Sequence, residues 1–319
     1  MKGNYGWIAG GLILAGMAIC ATSAVAAGFD WGKLSTAPLV TKTYPLNDDF
    51  SVLRIEDYES SVRLFVAEDG ESRVVCRESD NGRYRYDLSV SGGELSIRRV
   101  DQRRWYERVG LFLGVTHLDV YLAQTDYDCL AVTTASGCIR IPEAFHFVEA
   151  QGKSASGCIE FSAAVEESLT LETASGTIEV DGSDPTNLTV KSRSGRISLR
   201  NVAAKDEVTG ENASGGLSLE KVSCETLRVR TSSGGISLAD VVTSGSLMAR
   251  SESGRIRLDR CDGEGLSLRS ASGSITGTLR TDKVFFPESA SGSIRVPHTA
   301  AGGTCEVTTQ SGNIDLAIE

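Results

Sequence analysis

The sequence predicts an all-β protein, a parallel single-chain β-solenoid of about ten coils with an irregular β cap at its N-terminal end. Three observations predict this fold: a Ser-Gly pair recurs every 19 or 20 residues, a large aliphatic residue follows each pair, and apolar and polar residues alternate around it. The pairs begin at Ser136, Ser156, Ser175, Ser194, Ser214, Ser233, Ser253, Ser272, Ser291 and Ser311.

Each repeat is predicted to be two short strands joined by a tight corner at the Ser-Gly pair. The third residue after each serine is isoleucine except at Leu217, and the alternation around it is typical of strands with one buried face. We expect glycine at the corner because glycine adopts positive φ without steric cost. A small hydrogen-bonding residue lies two positions before every serine, and these side chains are expected to form an internal ladder that satisfies backbone groups of the corner.

A single coil cannot bury its own apolar face, so successive coils are expected to stack at the strand spacing of about 4.8 Å. The crossover rule favours a right-handed solenoid. The column of residues just before the hydroxyl ladder is expected to face solvent, and its opposite charges should pair between coils. It begins Lys153, Glu172, Lys191, Glu211, Arg230, and its alternation of sign ends at Arg250 and Arg269.

Residues 1–29 are predicted to be a membrane anchor or a signal segment, because Trp7 to Phe29 carries no charge. As a signal peptide it would be cleaved at Ala24-Val25-Ala26, and the protein would be secreted. The length of the apolar run favours an uncleaved single-pass anchor in the cell membrane. Both interpretations place the rest of the chain outside the cytoplasm.

Residues 30–38 are predicted to be a tether, residues 39–127 an irregular β cap with the first coils, and residues 128–319 the regular solenoid. Within the cap, Tyr84 to Val90 and Glu94 to Ile97 predict a hairpin around Gly92-Gly93. The last strand, from Ile314 to Ile318, is expected to be an open edge available for self-association or for pairing with a partner strand.

Cys138 and Cys158 occupy the same place in successive coils. Stacking would bring their Cα atoms to about 5 Å, within disulfide range, so a disulfide and a pair of free thiols both remain open. Cys129, Cys224, Cys261 and Cys305 are predicted to be buried as small hydrophobic residues.

Two groups of residues are candidate contact sites. The first mixes basic and aromatic side chains and would contact anionic lipid headgroups or glycans, unless it is a loop folded over the solenoid end: Arg98, Arg99, Arg103, Arg104, Trp105 and Tyr106. The second is predicted to be a local basic patch, near Asp259, for an acidic polysaccharide: Arg250, Arg255, Arg257 and Arg269.

The chain of 319 residues has a net charge of −10, which argues against non-specific nucleic-acid binding. Its three histidines are isolated in sequence, and it has no zinc spacing, nucleophile elbow or phosphate-binding loop. A polysaccharide-active enzyme would need a paired general acid and base, and none is evident. We therefore predict no catalytic residues, no cofactor, no metal and no enzymatic activity.

The repeat unit from Leu188 to Leu199 resembles the bacterial putative-adhesin family of unknown function, which is related to autotransporter-adhesin-like head domains. The segments around Gly28 to Thr36, Val120 to Leu122 and Gly302 to Glu306 look like membrane-anchored members from Gram-positive bacteria, although Ala123 stands where members usually have proline. The resemblance implies a cell-envelope solenoid with adhesion or envelope-stress roles and no catalytic residues.

The predicted function is an envelope-anchored display or adhesin-like binding module in which weak contacts add along an extended ligand. Its expected partners are the membrane, through the N-terminal segment, and a glycan or an envelope protein. Two alternatives remain at this point: a polysaccharide-active β-helix enzyme, and an envelope-stress sensor or assembly component that acts through strand-edge pairing.

Overall fold

The computed structural model describes residues 39–80, 82, 84–102 and 116–319. The predicted anchor and tether, and Arg103, Arg104, Trp105 and Tyr106 of the first contact site, lie outside these residues. Within the described part of the chain, no helix has the length and apolarity that crossing a bilayer requires.

Two sheets face each other across one core, and each coil contributes a strand to both. Sheet A contains β1 (Leu39–Pro45), β3 (Ser61–Val66), β4 (Arg73–Ser79), β7 (His117–Leu122), β9 (Ile139–Ile141), β11 (Ile159–Phe161), β13 (Ile178–Asp181), β15 (Ile197–Ala203), β17 (Leu217–Cys224), β19 (Ile236–Ala239), β20 (Val242–Thr243), β22 (Ile256–Cys261), β24 (Ile275–Leu279), β26 (Ile294–Arg295) and β28 (Ile314–Ile318). Sheet B contains β2 (Val52–Glu56), β5 (Tyr84–Ser91), β6 (Glu94–Asp101), β8 (Asp126–Thr134), β10 (His146–Ser154), β12 (Ala164–Thr173), β14 (Asn187–Ser192), β16 (Glu207–Asn212), β18 (Thr226–Thr231), β21 (Ser246–Ser251), β23 (Gly265–Ser270), β25 (Lys283–Ser289) and β27 (Gly303–Thr309).

The regular coils stack in parallel register, which confirms the predicted all-β solenoid. Ile159 pairs with Ile139 on one side and Ile178 on the other, so the isoleucine after each corner forms a continuous column. The Ile159 and Ile178 side chains are fully buried. Each coil therefore completes the core of its neighbour, since the apolar face of one coil is too small to be buried alone.

The N-terminal end is closed by antiparallel strands. Strands β2 and β3 come early in the chain, and later strands pair with both of their edges. In sheet B, β2 lies between β6 and β8, and in sheet A, β3 lies between β7 and β9. The predicted hairpin of β5 and β6 is confirmed, and Gly92 and Gly93 at its turn have φ of 60° and 80°. Positive φ at both turn positions suits the twist of a two-residue hairpin.

The C-terminal end departs from chain order, and the prediction that β28 is an open edge is wrong. The last coil, β27–β28, lies between β23–β24 and β25–β26, so β28 pairs with β24 on one side and with β26 on the other. Cys305 and Val307 in β27 are fully buried, whereas Ile294 in β26 is 45% exposed. The coil with the better apolar face thus lies inside the stack.

The true edge at this end is blunted. Ala290, the residue directly after β25, donates its N–H to the Thr309 carbonyl of the adjacent coil. Backbone groups alternate in direction along a strand, so Pro287, three positions earlier, has its nitrogen on the open side, where no hydrogen bond is needed. Proline and the two-residue β26 both disfavour pairing with another strand.

Candidate functional site

The corners of the solenoid are linked by the predicted hydroxyl ladder. In each of the ten repeats, the side chain two positions before the serine accepts a hydrogen bond from the corner glycine N–H. Thr231 is representative: its Oγ1 accepts from Gly234 at 3.1 Å and donates to the Gly215 carbonyl of the neighbouring coil at 3.1 Å. Because the same group joins both coils, the edge of the rod is held in a regular repeat.

Glycine occupies the corner for a different reason from the one expected. None of the ten corner glycines has positive φ. A Cβ atom added at Gly195 would instead lie 1.5 Å from the Gly176 carbonyl oxygen, and the other corners show the same conflict with an adjacent coil. Glycine therefore permits the close approach of stacked backbones, not an unusual backbone conformation.

A long groove of about 870 Å³ follows this edge on the side of sheet B. It crosses seven coils, from β8 to β21, and presents the same backbone at each one. Its outer wall is the predicted charge column, whose first members are Lys153, Glu172, Lys191 and Glu211.

Opposite charges in this column pair between coils, as predicted. Lys153 and Glu172 are in register with their charged atoms 3.6 Å apart. Glu211 interacts with Lys191 at 3.8 Å and with Arg230 at 3.5 Å. These side chains are largely exposed, so the pairs keep the column ordered more than they stabilise the fold.

The alternation lapses over three adjacent strands, where Arg230, Arg250 and Arg269 are consecutive register partners. We call these three residues the arginine ladder. A second groove of about 670 Å³ runs beside the ladder and is also lined by Arg228 and the exposed side chain of Met248.

The predicted basic patch of four arginines is not one surface. Arg250 and Arg269 lie on sheet B, whereas Arg257 lies on the outer face of sheet A and Arg255 precedes it beyond the corner. The register partners of Arg257 are Ser237 and Thr276, so it has no basic neighbour in its own column. The corner that separates the two strands of a coil is the reason that neighbours in sequence face different sides.

The described members of the first contact site also separate. Arg98 is exposed and pairs with Glu56 at 3.0 Å. The prediction that Arg99 contacts a ligand is wrong, because its side chain is only 2% exposed and pairs with Asp57 at 3.3 Å and Glu59 at 2.7 Å. Its guanidinium also lies 4.1 Å from the centre of the Tyr84 ring.

Around Arg99 the cap encloses a polar network. The Tyr86 hydroxyl donates to Asp57, whose other oxygen accepts the N–H of Ser60 at 2.7 Å. Burial and the neighbouring Asp57 carboxylate raise the pKa of Tyr86, which keeps its hydroxyl protonated as the donor. The network holds the first coil to the cap hairpin and is closed to large ligands.

The structure joins Cys138 and Cys158 in a disulfide between adjacent coils, with their Cα atoms 4.5 Å apart. Cys224, Cys261 and Cys305 are buried as predicted, whereas Cys129 is half-buried. Burial raises the pKa of the Cys224 and Cys305 thiols to about 12, so neither is a ready nucleophile at neutral pH.

No arrangement for metal or acid–base chemistry stands out in the part of the chain that the structure describes. These residues contain no group of three or more His, Cys, Asp or Glu side chains that could hold a metal ion. The Nδ1 atom of His146 lies 3.5 Å from Oδ1 of Asp126 on exposed surface. His117 is a separate residue, and desolvation lowers the pKa of its imidazole.

Two overlapping matches to one family model, described as Toastrack DUF4097, cover residues 50–211 and 203–319. The chain belongs to the Toastrack DUF4097 family. The matched regions start at the first buried strand, β2, and include every regular coil. No curated protein matches this Toastrack chain.

Solved structures share the Toastrack fold at low sequence identity. A putative lipid binding protein from Parabacteroides distasonis is 19% identical, with a TM-score of 0.52 over 74% of this chain and 96% of that one. A putative adhesin from the same species is 13% identical, with a TM-score of 0.51 over 88% of this chain and 98% of that one. These likenesses support the fold of the chain.

Three residues of the Toastrack surface were missed as site residues from the sequence: Arg228, Arg230 and Met248. Arg230 was recognised only as the last member of the alternating column. The repeat already placed Arg230 beside Arg250. The end of the alternation of charge at these two residues was therefore the sequence signal for a site. Met248 gave no comparable signal, because a single methionine on the outward face of β21 belongs to no charge pattern.

Proposed function

We propose that this protein is an adhesin-like binding module that holds an extended polymer along the sheet B edge of a rigid rod and does not modify it. The continuous groove over seven coils carries the proposal. A pocket for a small molecule would be enclosed, whereas this groove repeats the same shallow lining from coil to coil.

Repetition supplies the mechanism of binding. The hydroxyl ladder and the close-packed glycines fix the coils, so each coil offers its groove residues at a constant spacing of about 4.8 Å. A weak contact at one coil raises the effective concentration of the polymer at the next. Affinity should therefore increase with polymer length until the groove is filled.

The same proposal places the rod outside the cytoplasm, anchored to the membrane by residues 1–29, as in the Gram-positive type that the sequence resembles. The uncharged run from Trp7 to Phe29 supports anchoring, and the disulfide between Cys138 and Cys158 suits an oxidising compartment. The shared fold with a protein named a putative adhesin supports surface display. Membrane flotation of the full-length protein, with N-terminal sequencing, should find an intact N-terminus in the membrane fraction; a mature chain starting after Ala26 would show secretion instead.

Binding and catalysis are separated by a length series. The full-length protein should bind long polysaccharides more tightly than their oligosaccharides on an array, and chromatography should recover the polymer at its original length. Lys191→Gln with Arg193→Gln, both in the groove, should weaken binding. The matched control is Arg196→Gln with Lys205→Gln, two exposed residues outside both grooves. Shortened polymer would establish an enzyme, and equal loss in both variants would remove the groove from the proposal.

A further inference from the structure

We infer that the arginine ladder, Arg230, Arg250 and Arg269, is a site for a linear polymer that carries a carboxylate or sulfate group on successive units. This inference rests on the proposed function and specifies its ligand class. It also assigns the ligand to one section of the rod, the three coils containing β18, β21 and β23.

The charge pattern of the column changes at the arginine ladder. Like charges directly opposite on neighbouring strands are destabilising, and the same column avoids them from Lys153 to Arg230. Arg230, Arg250 and Arg269 are in register without an acidic residue between them. An anionic ligand lying over the ladder would supply the missing negative charge.

The guanidinium groups of the ladder are accessible to a ligand. The side chains of Arg230 and Arg269 are 70% and 58% exposed, and their carboxylate partners, Glu211 and Glu306, lie at the two ends of the ladder. Arg250, in the middle, is exposed and makes no ion pair with any residue that the structure describes. A guanidinium fork binds carboxylate or sulfate oxygens through two parallel hydrogen bonds.

The groove beside the ladder has a mixed charged and apolar lining. Arg228, which is paired with Glu207 at 2.7 Å, also lines this groove, and its Nη1 atom lies 3.4 Å from the Met248 sulfur. The exposed Met248 side chain gives the groove an apolar floor between charged walls. A sugar ring matches this lining, since its C–H faces can pack on the thioether while its acidic groups reach the arginines.

The direction of the ligand follows from the ladder. Register partners on parallel strands succeed one another along the rod axis at about 4.8 Å. The polymer must therefore run along the rod, across the strands, with its acidic groups on one side. A compact anion such as inorganic phosphate would meet only one or two arginines and bind weakly.

The test measures binding of the full-length protein to polygalacturonate, dextran sulfate and neutral dextran by biolayer interferometry. At least one anionic polymer should bind, with an affinity that falls steeply as salt is raised, because the contacts are between exposed charges. Its identity distinguishes carboxylate from sulfate recognition. Arg250→Glu should weaken this binding at least tenfold. Arg257→Glu, the same change on the outer face of sheet A, should weaken it less than twofold.

The outcomes divide cleanly between the two proposals. Equal weakening by Arg250→Glu and Arg257→Glu would overturn the ladder. The change in the net charge of the protein would then be enough to explain the weaker binding. Binding of neutral polymers alone, in the length-dependent manner described above, would overturn the ladder while supporting the proposed function. If no polymer on the array binds, both fail. Thermal unfolding of each variant verifies that lost binding is not lost folding.

Discussion

A Cβ atom at position 234 would lie 1.9 Å from the carbonyl oxygen of Gly215 in the adjacent coil. The two glycines belong to successive corners, and their backbones approach closely enough that the Thr231 hydroxyl bonds to both. The corner is thus the point at which the coil spacing is set, and substitutions there test the stacking directly.

Gly234→Ala should destabilise the protein by at least about 2 kcal/mol, because the conflict is with backbone that cannot move without separating two coils. Gly235→Ala is the matched control one residue away, where an added Cβ would meet only the Arg255 carbonyl oxygen at 3.4 Å. The measurement is the denaturant midpoint of both variants. Similar midpoints would show that the corner can relax and that close approach is not the reason for glycine.

Thr231→Val should lower the unfolding free energy by about 1–3 kcal/mol, because it leaves the Gly234 N–H and the Gly215 carbonyl without their buried partner. Thr231→Ser keeps the hydroxyl and should cost clearly less. Denaturant unfolding of the two variants gives the comparison. A valine variant as stable as the natural protein would show that these hydrogen bonds contribute nothing, because valine keeps the methyl group and loses only the hydroxyl.

Replacing Cys138 and Cys158 with serine should reduce the unfolding free energy by about 2–4 kcal/mol, because the disulfide closes a loop between adjacent coils. Reductant should lower the stability of the natural protein and leave the double variant unchanged, which serves as the control. Alkylation of the unfolded, unreduced protein should label neither cysteine. Labelling of both would show a free pair in spite of the stacking.

Arg250→Glu should stabilise the fold while it weakens anionic binding. It restores alternating charge from Arg230 to Arg269, and opposite charges on neighbouring strands contribute about 0.2–1 kcal/mol per pair. Arg257→Glu gains no such partner, since Ser237 and Thr276 flank it. A rise in denaturant midpoint for position 250 alone, reduced by added salt, is the expected result. A fall would mean that the ladder already has an internal counterion.

Asp240 should give an acid-dependent contribution to stability. Its hydrogen bond from Arg260 lowers the pKa of its carboxyl from 3.8 to about 2, and Arg280 adds to the effect. The folded state therefore holds the carboxylate more strongly than the unfolded state, so the gain is present above about pH 4 and disappears as pH falls to about 2.

The comparison for this effect is Asp240→Asn, which suits the left-handed backbone at this position, where φ is 52°. The natural protein should be more stable than this variant at pH 6, and the difference should be lost as pH falls through about 2. A constant difference across the range would assign the effect to packing. Arg260→Gln should reduce the pH dependence in the same way, because it removes the main partner of the carboxylate.

The repeat made the fold and the register of most residues predictable. Alternation around Ile159 or Ile178 reports which side chains point inward, and a constant period means that equivalent residues stack. The pairing of Lys153 with Glu172 and the closeness of Cys138 and Cys158 follow from register alone, whereas the bond between the two sulfurs does not. The candidate site was predictable where it uses one column, at Arg250 and Arg269, and not where it joins Arg228 and Met248 from another.

The sequence by itself determined the coil, its two strands, its corner and the residues that line the core, because these depend on contacts repeated at a fixed period. Only the tertiary structure decided how the ends are arranged: β27–β28 lies between β23–β24 and β25–β26, and the Arg99 side chain of the cap hairpin is buried against Asp57 of the first coil. The order of the last coils depends on which coil buries more apolar surface when two coils compete for the same position in the stack. That competition is between segments distant in the chain, and periodicity carries no information about it.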